Sequence, residues 1–278
     1  MRNEMAENHM PVGGMSVGSL LKSFNLSKNI YSFLKFNKKA FTLAEVLVTL
    51  TIIGVVSAIT IPTLHKNYKA VQFETAFKKA HSEMAAISKF MVAEQETDDL
   101  YRALAKSTVT LSTQQGFAKS IETYYKNIKN EPQRAIADKI VDRNGKVKYY
   151  RNFSNTANVT NGIFDDGGYE LMDGRALWFE GGFGTNAFMI TYDLNGMDQG
   201  PNRFGYDLFS FILSNNGMFY PAGSKMVDDA GLSYQHCSKS TITNPSSSCS
   251  TSSTSACNGI GCANQAVINH KYFRELKW

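Results

Sequence analysis

The sequence predicts an α+β protein, in which a long N-terminal helix has a first half suited to a membrane and a second half packed against an antiparallel sheet. Three observations carry that expectation. Residues 41 to 61 form a mostly apolar run of 21 residues. Beyond it, Phe73, Phe77, Ala80, Met84, Ile87 and Met91 recur at alternating four- and three-residue steps, which lays one apolar stripe along a helix running to about Leu104. From residue 139 the pattern changes to short strands separated by turn dipeptides.

The chain begins with a basic segment. Of the formal net charge of +5, residues 1–40 supply +4, from six basic and two acidic residues. The nearly neutral remainder argues against nucleic acid as a partner, because nonspecific phosphate binding needs clustered Lys and Arg. Residues 19–36 have the pattern of a basic amphipathic helix lying on the inner membrane surface.

As a helix the apolar run spans about 31 Å, close to the hydrocarbon thickness of a bilayer. Lys38 and Lys39 precede it, which places the N-terminus in the cytoplasm and exports the C-terminal body. His65, Lys66 and Lys69 on the far side oppose that rule. An ordinary secretory signal has its small-residue cleavage site after the apolar core, whereas Ala40 lies before this one. Glu45 is the only charged residue in the run, and a lone carboxylate in a bilayer costs about 3 kcal/mol on insertion scales. A signal anchor with Glu45 snorkelling near the interface would tolerate that charge.

The string "KKAFTLAEVLVTLTIIGVVSAITIP", residues 38–62, resembles the prepilin-type signal of type IV pilins and type II secretion pseudopilins. Phe41, Thr42, Leu43, Glu45 and Pro62 match that pattern residue by residue, while Ala40 stands where the family has Gly. The resemblance implies a pilin-like fold and a cut between Ala40 and Phe41 by prepilin peptidase. It also implies N-methylation of Phe41 and assembly with other copies or related subunits from the inner membrane. Glu45 would then meet the new terminal amine of a neighbouring subunit, which explains why a buried acid is kept. The implied division is a cytoplasmic leader (1–40), a transmembrane and assembly helix (41–62), a helical part of the body (63–130) and a sheet with a cysteine-closed loop (131–278). The implied function is structural, in secretion, adhesion or DNA uptake. A monomeric membrane-anchored surface binding protein that does not polymerise is the competing class.

Pro62 lacks an amide hydrogen and is expected to kink or loosen the helix. Residues 113–129 are expected to form a second helix with Phe117, Ile121, Tyr124 and Tyr125 facing inward. "DRNGKVKYY" and "YELMDGRALWFE" read as hairpins turning at Asn144-Gly145 and Asp173-Gly174, dipeptides that favour positive φ. "AFMITYDL" and "LFSFILSNNGMFYP" read as further strands.

Residues 192–209 gather Asp193, Asn195, Asp198, Asn202 and Asp207 among glycines and Pro201. That composition suits calcium, which takes six to eight oxygens, and it suits equally a turn built by Asx side chains, the favoured reading. It is not an EF-hand loop. Cys237, Cys249, Cys257 and Cys262 lie around a Ser/Thr-rich insert with no CxxC pair, so disulfides in an oxidising compartment are expected rather than a zinc knuckle. Four cysteines permit three pairings. The preferred one nests Cys249 with Cys257 inside Cys237 with Cys262, closing the insert at its base.

No enzyme constellation assembles. His9, His65, His81, His236 and His270 fall in no metal-ligand spacing, there is no GxSxG elbow, and "EGGFGTNAF" lacks the lysine of a phosphate loop. The aromatics Phe183, Phe204, Tyr206, Phe219 and Tyr220 are expected in the core rather than at a ligand.

Overall fold

A computed structural model describes residues 41–96, 100, 121–125, 128, 135–136, 139–141, 144–159, 161–164, 167–180, 187–214, 216–225, 237, 244 and 248–278. The leader, the amphipathic segment 19–36, Phe117 and Phe183 lie outside those residues. Two compact units divide the chain, Met1–Ser57 and Ala58–Trp278.

In the first unit the described residues belong to the start of helix α1 (Leu43–Gln95), a helix long and apolar enough to cross a membrane. Every apolar side chain from Phe41 to Val56 is exposed. Two threonine hydroxyls are satisfied within the helix: Thr49 Oγ1 donates to the Val46 carbonyl at 2.9 Å and Thr51 Oγ1 to that of Leu47 at 2.7 Å. Such back-bonding satisfies the hydroxyl without water.

The second unit contains the rest of α1. Pro62 lies inside the helix, which continues on both sides of it, so the proline removes one amide donor without ending the element. The helix ends at Gln95, before the expected Leu104, because Glu96 turns into the left-handed region at φ 46°. Its buried residues are Ala70, Phe73, Phe77, Ala80, Met84, Ser88 and Met91. Ser88 takes the inward position and Ile87 is only half-buried, a one-residue drift of the expected stripe. Ser88 sits there because its hydroxyl donates to the Ala85 carbonyl at 3.0 Å. Residues 121–124 are helical with Ile121 and Tyr125 buried as expected, but Tyr124 is half-buried and the helix stops short of the expected residue 129, because Ile128 bridges to Leu171.

A small antiparallel sheet orders β1 (Ala135–Ile136), β2 (Lys139–Val141) and β3 (Val147–Lys148). The β2–β3 hairpin turns at Asn144-Gly145, with Gly145 at φ 75°. The main sheet has five antiparallel strands in sequential order: β4 (Gly168–Glu170), β5 (Ala176–Glu180), β6 (Ala187–Asp193), β7 (Leu208–Ser214) and β8 (Phe219–Pro221). Gly174 turns β4 into β5 at φ 89°, as its dipeptide predicts.

Strands β5, β6 and β7 are buried along their whole length, so both faces of the sheet are covered. Leu177, Phe179, Ile190, Phe209 and Phe211 join the α1 stripe in one core. Trp178, Met189, Leu208 and Ile212 join Val159, Phe164, Cys257 and Ile260 in a second. Helices α2 (Cys262–Ile268) and α3 (Tyr272–Glu275) close the chain. Phe273 lies 5.6 Å from Phe77 and Trp278 stacks on Phe73 at 4.8 Å, returning the chain's last residues to α1.

Candidate functional site

The start of α1 carries the signal residues. Phe41 is 82% exposed and Leu43 is exposed beside it, while Ala40 lies outside the described residues. Thr42 precedes the first helical residue, where the leading N–H groups have no intrahelical acceptor. Its Oγ1 accepts from the Glu45 amide at 3.2 Å, and its own amide and hydroxyl both donate to Glu45 Oε2 at 2.9 Å. This is a reciprocal capping box, with Thr as N-cap and Glu at the third helical position. Reading Glu45 only as a charge misses this role, although the Thr-x-x-Glu spacing was present in the sequence to be read. Oε1 makes no hydrogen bond among the described residues and is open to an external cation.

Along α1 the second unit fixes the helix by charge as well as by packing. Arg175, at the β4–β5 turn and 4% exposed, donates to Glu83 Oε2 at 2.7 Å and pairs with Asp173 Oδ2 at 2.8 Å. Lys79 reaches the same Asp173 oxygen at 2.9 Å. Burial pushes the Asp173 carboxyl up, but the bonds from Arg175 and Lys79 outweigh it and bring it down to about 2. Tyr125 donates to Glu83 at 2.7 Å, tying the segment around residue 121 to the same network.

In the loop from β6 to β7, Asp193 and Asp207 are fully buried. Asp193 accepts from Tyr150 Oη at 2.7 Å and from the amides of Asn195 at 3.2 Å and Gly196 at 2.8 Å. Asp207 accepts from the amides of Asn202 and Arg203, each at 2.7 Å. All four carboxylate oxygens thus already hold N–H or O–H donors. Asn195 and Asn202 donate to the carbonyls of Gly200 and Met197, each at 3.0 Å, and Asp198 is exposed. Burial pushes the Asp193 carboxyl up to about 6, and burial together with the charge of Asp193 raises Asp207. Among the described residues no group of three His, Cys, Asp or Glu is placed to hold a metal.

The cysteines are bridged Cys237–Cys257 and Cys249–Cys262, which corrects the nested pairing. The two sheet faces decide it. Cys237 and Cys257 both sit in the core that contains Trp178, whereas Cys262 and Cys249 belong with the core that contains α1. Between the bridges, buried Asn258 donates to the carbonyls of Ser250 at 2.7 Å and Ser253 at 2.8 Å and accepts from the Ser250 amide at 2.9 Å. Buried Asn152 holds the same insert through the Ser255 carbonyl at 3.0 Å. Nothing in the local sequence marks these two asparagines. Phe204 and Tyr206 are in the core, and Phe219 and Tyr220 are half-buried at its edge.

No curated protein and no solved structure matches the chain. One family model does: residues 35–61 match the prokaryotic N-terminal methylation motif, so the chain carries the prepilin-type signal of type IV pilins and pseudopilins at the head of its apolar helix.

Proposed function

We propose that the chain is a prepilin-like precursor, cut between Ala40 and Phe41, whose mature subunit assembles into a type IV pilus or a type II secretion pseudopilus and has no catalysis of its own. The observation that carries this reading is the methylation motif at residues 35–61, set at the start of a helix whose large apolar residues from Leu43 to Leu64 are exposed. Residues 1–40 are the cytoplasmic leader, residues 41–62 span the inner membrane and join subunits, and the body is exported, where its disulfides persist. The partners are prepilin peptidase and other pilin-like subunits.

Glu45 has two duties in this reading. Oε2 closes the N-cap within its own subunit. Oε1 receives the amine that cleavage exposes on Phe41 of the next subunit, which offsets the few kcal/mol a lone acid costs in lipid. Two variants separate the duties. Glu45→Leu removes both, and Glu45→Gln keeps a capping side chain but removes the charge. Both should insert and be cleaved, and both should assemble poorly when filaments are sheared and quantified. Normal incorporation of Glu45→Gln would leave only the cap and remove the proposed pairing. Terminal sequencing of the membrane-extracted protein tests the cut itself. Cysteine crosslinking along residues 41–61 distinguishes a filament subunit, which gives ladders, from a monomeric anchored binding protein, which does not.

For the loop at residues 193–207 the proposal is a turn without calcium, supported by the occupied carboxylate oxygens of Asp193 and Asp207. Calorimetric titration should give no heat with millimolar Ca²⁺.

A further inference from the structure

Lys66 and Lys69 sit on the exported side of a membrane-crossing helix, where the positive-inside rule disfavours them, and no part of the proposed function uses them. Their place on α1 is specific. Lys69 precedes Phe73 by four residues and Lys66 precedes it by seven, spacings that stack side chains on one helical face. That face is the one Trp278 covers by stacking on Phe73. Trp278 ends a segment in which Tyr272, Phe273 and Leu276 are buried while Lys271, Arg274 and Lys277 are exposed at three-residue intervals. Trp278 on Phe73 sets Lys277 beside the turn of α1 that follows Lys69, and Phe273 beside Phe77 sets Arg274 and Lys271 along the next turn. Among the described residues none of these five forms an ion pair. Glu275 is the one acidic side chain in the segment, and it accepts from Asn269 at 3.0 Å. A carboxylate on Trp278 would still leave the cluster positive.

We propose that Lys66, Lys69, Lys271, Arg274 and Lys277 form a collar that binds the phosphate headgroups of anionic lipids where α1 leaves the bilayer. The occupant follows from position and charge. Exposed Ile59, Ile61 and Leu64 end the apolar stretch just before Lys66, so the first two cations fall within about two helical turns of the hydrocarbon boundary. Lysine and arginine stems reach down along apolar surface while keeping their charge at the headgroups. The collar holds the exported body against the membrane before assembly lifts it away. It rests on the reading of residues 41–61 as a bilayer span.

The two tryptophans of the body, Trp178 and Trp278, supply the measurement. The full chain is reconstituted into vesicles of phosphatidylcholine alone and of phosphatidylcholine with roughly one third phosphatidylglycerol, each with a trace of dansyl headgroup label, and tryptophan-to-dansyl energy transfer is recorded. Transfer should rise on the anionic vesicles, fall back when all five cations are changed to Gln, and persist when the four lysines are changed to Arg. Each cation removed should weaken headgroup association about five-fold. Salt provides the same test without a variant, since raising wild type to about 0.5 M NaCl shortens the screening length to roughly 4 Å and should abolish the rise. Transfer that ignores lipid charge, the Gln changes or salt overturns the proposal. So does carbodiimide crosslinking of the collar to carboxylates of a second copy that proceeds equally on both vesicles. Resistance to alkaline extraction, measured on the same vesicles, reports the span separately, so a chain that stays inserted without lipid-charge dependence refutes the collar alone.

Discussion

The two halves of α1 solve the same problem differently. Over residues 41–57 no apolar side chain is buried, and the helix satisfies only its own polar groups, through backbone bonds, threonine back-bonding and the Thr42–Glu45 cap. Over residues 70–91 one face is buried at seven positions, capped by Trp278 on Phe73 and by Phe209, Phe211 and Phe273 around Phe77. The difference teaches where each half finds its partner. The second half is completed by its own chain and contributes to folding, whereas the first exposes a continuous apolar surface to which none of the described residues is packed.

The comparison breaks most readily at Phe77. Phe77→Ala should destabilise the body by about 3 to 5 kcal/mol, read by denaturant unfolding in detergent. An unfolding midpoint unchanged from wild type would show that the stripe does not hold the body together. Next in size is the Cys249–Cys262 bridge, whose closed loop of 13 residues predicts a loss of about 3 kcal/mol when both cysteines become Ala. Because Cys262 lies in the core with α1, that variant should also increase quenching of Trp278 by acrylamide, while protease access to residues 41–57 stays as it was.

Smaller is the contribution of the Asp173 carboxyl. Its value in the folded protein, about 2, lies below the ordinary carboxylate value, so its contribution is present above pH 4 and is lost as pH falls toward 2. Asp173→Asn should therefore narrow the stability difference between pH 5 and pH 2, by about 1 kcal/mol or less given its partial exposure. An equal acid loss in the variant would exclude this ion pair as the cause. The smallest effect belongs to the first half, where Ile53→Ala should move the unfolding of the body by less than about 0.5 kcal/mol. A loss approaching that of Phe77→Ala would mean that residues 41–57 are packed by their own chain after all.

Much of the fold was legible because it is local. The four- and three-residue steps of Phe73 through Met91 named the buried face of α1 to within one residue, and Asn144-Gly145 and Asp173-Gly174 named two hairpin turns through the positive φ they tolerate. Other features were not. The continuous burial of β5, β6 and β7 hides which face meets which core: alternation puts Trp178 and Phe179 on opposite faces but does not say which of them packs on α1. The disulfide preference failed for that reason, since closing the insert at its base ignores that Cys257 and Cys262 serve opposite faces of the sheet. Asn258 and Asn152 were invisible because their partners are backbone groups brought near only by folding.

Residues 35–61 by themselves determined the signal, the apolar span and the place of its single acid, because each depends on order along a few turns of chain. Tertiary structure alone decided which face of α1 is buried by its own chain, how the four cysteines pair and how Trp278 returns to Phe73. These outcomes depend on segments far apart in sequence meeting across a sheet with two covered faces, and no local period encodes that meeting.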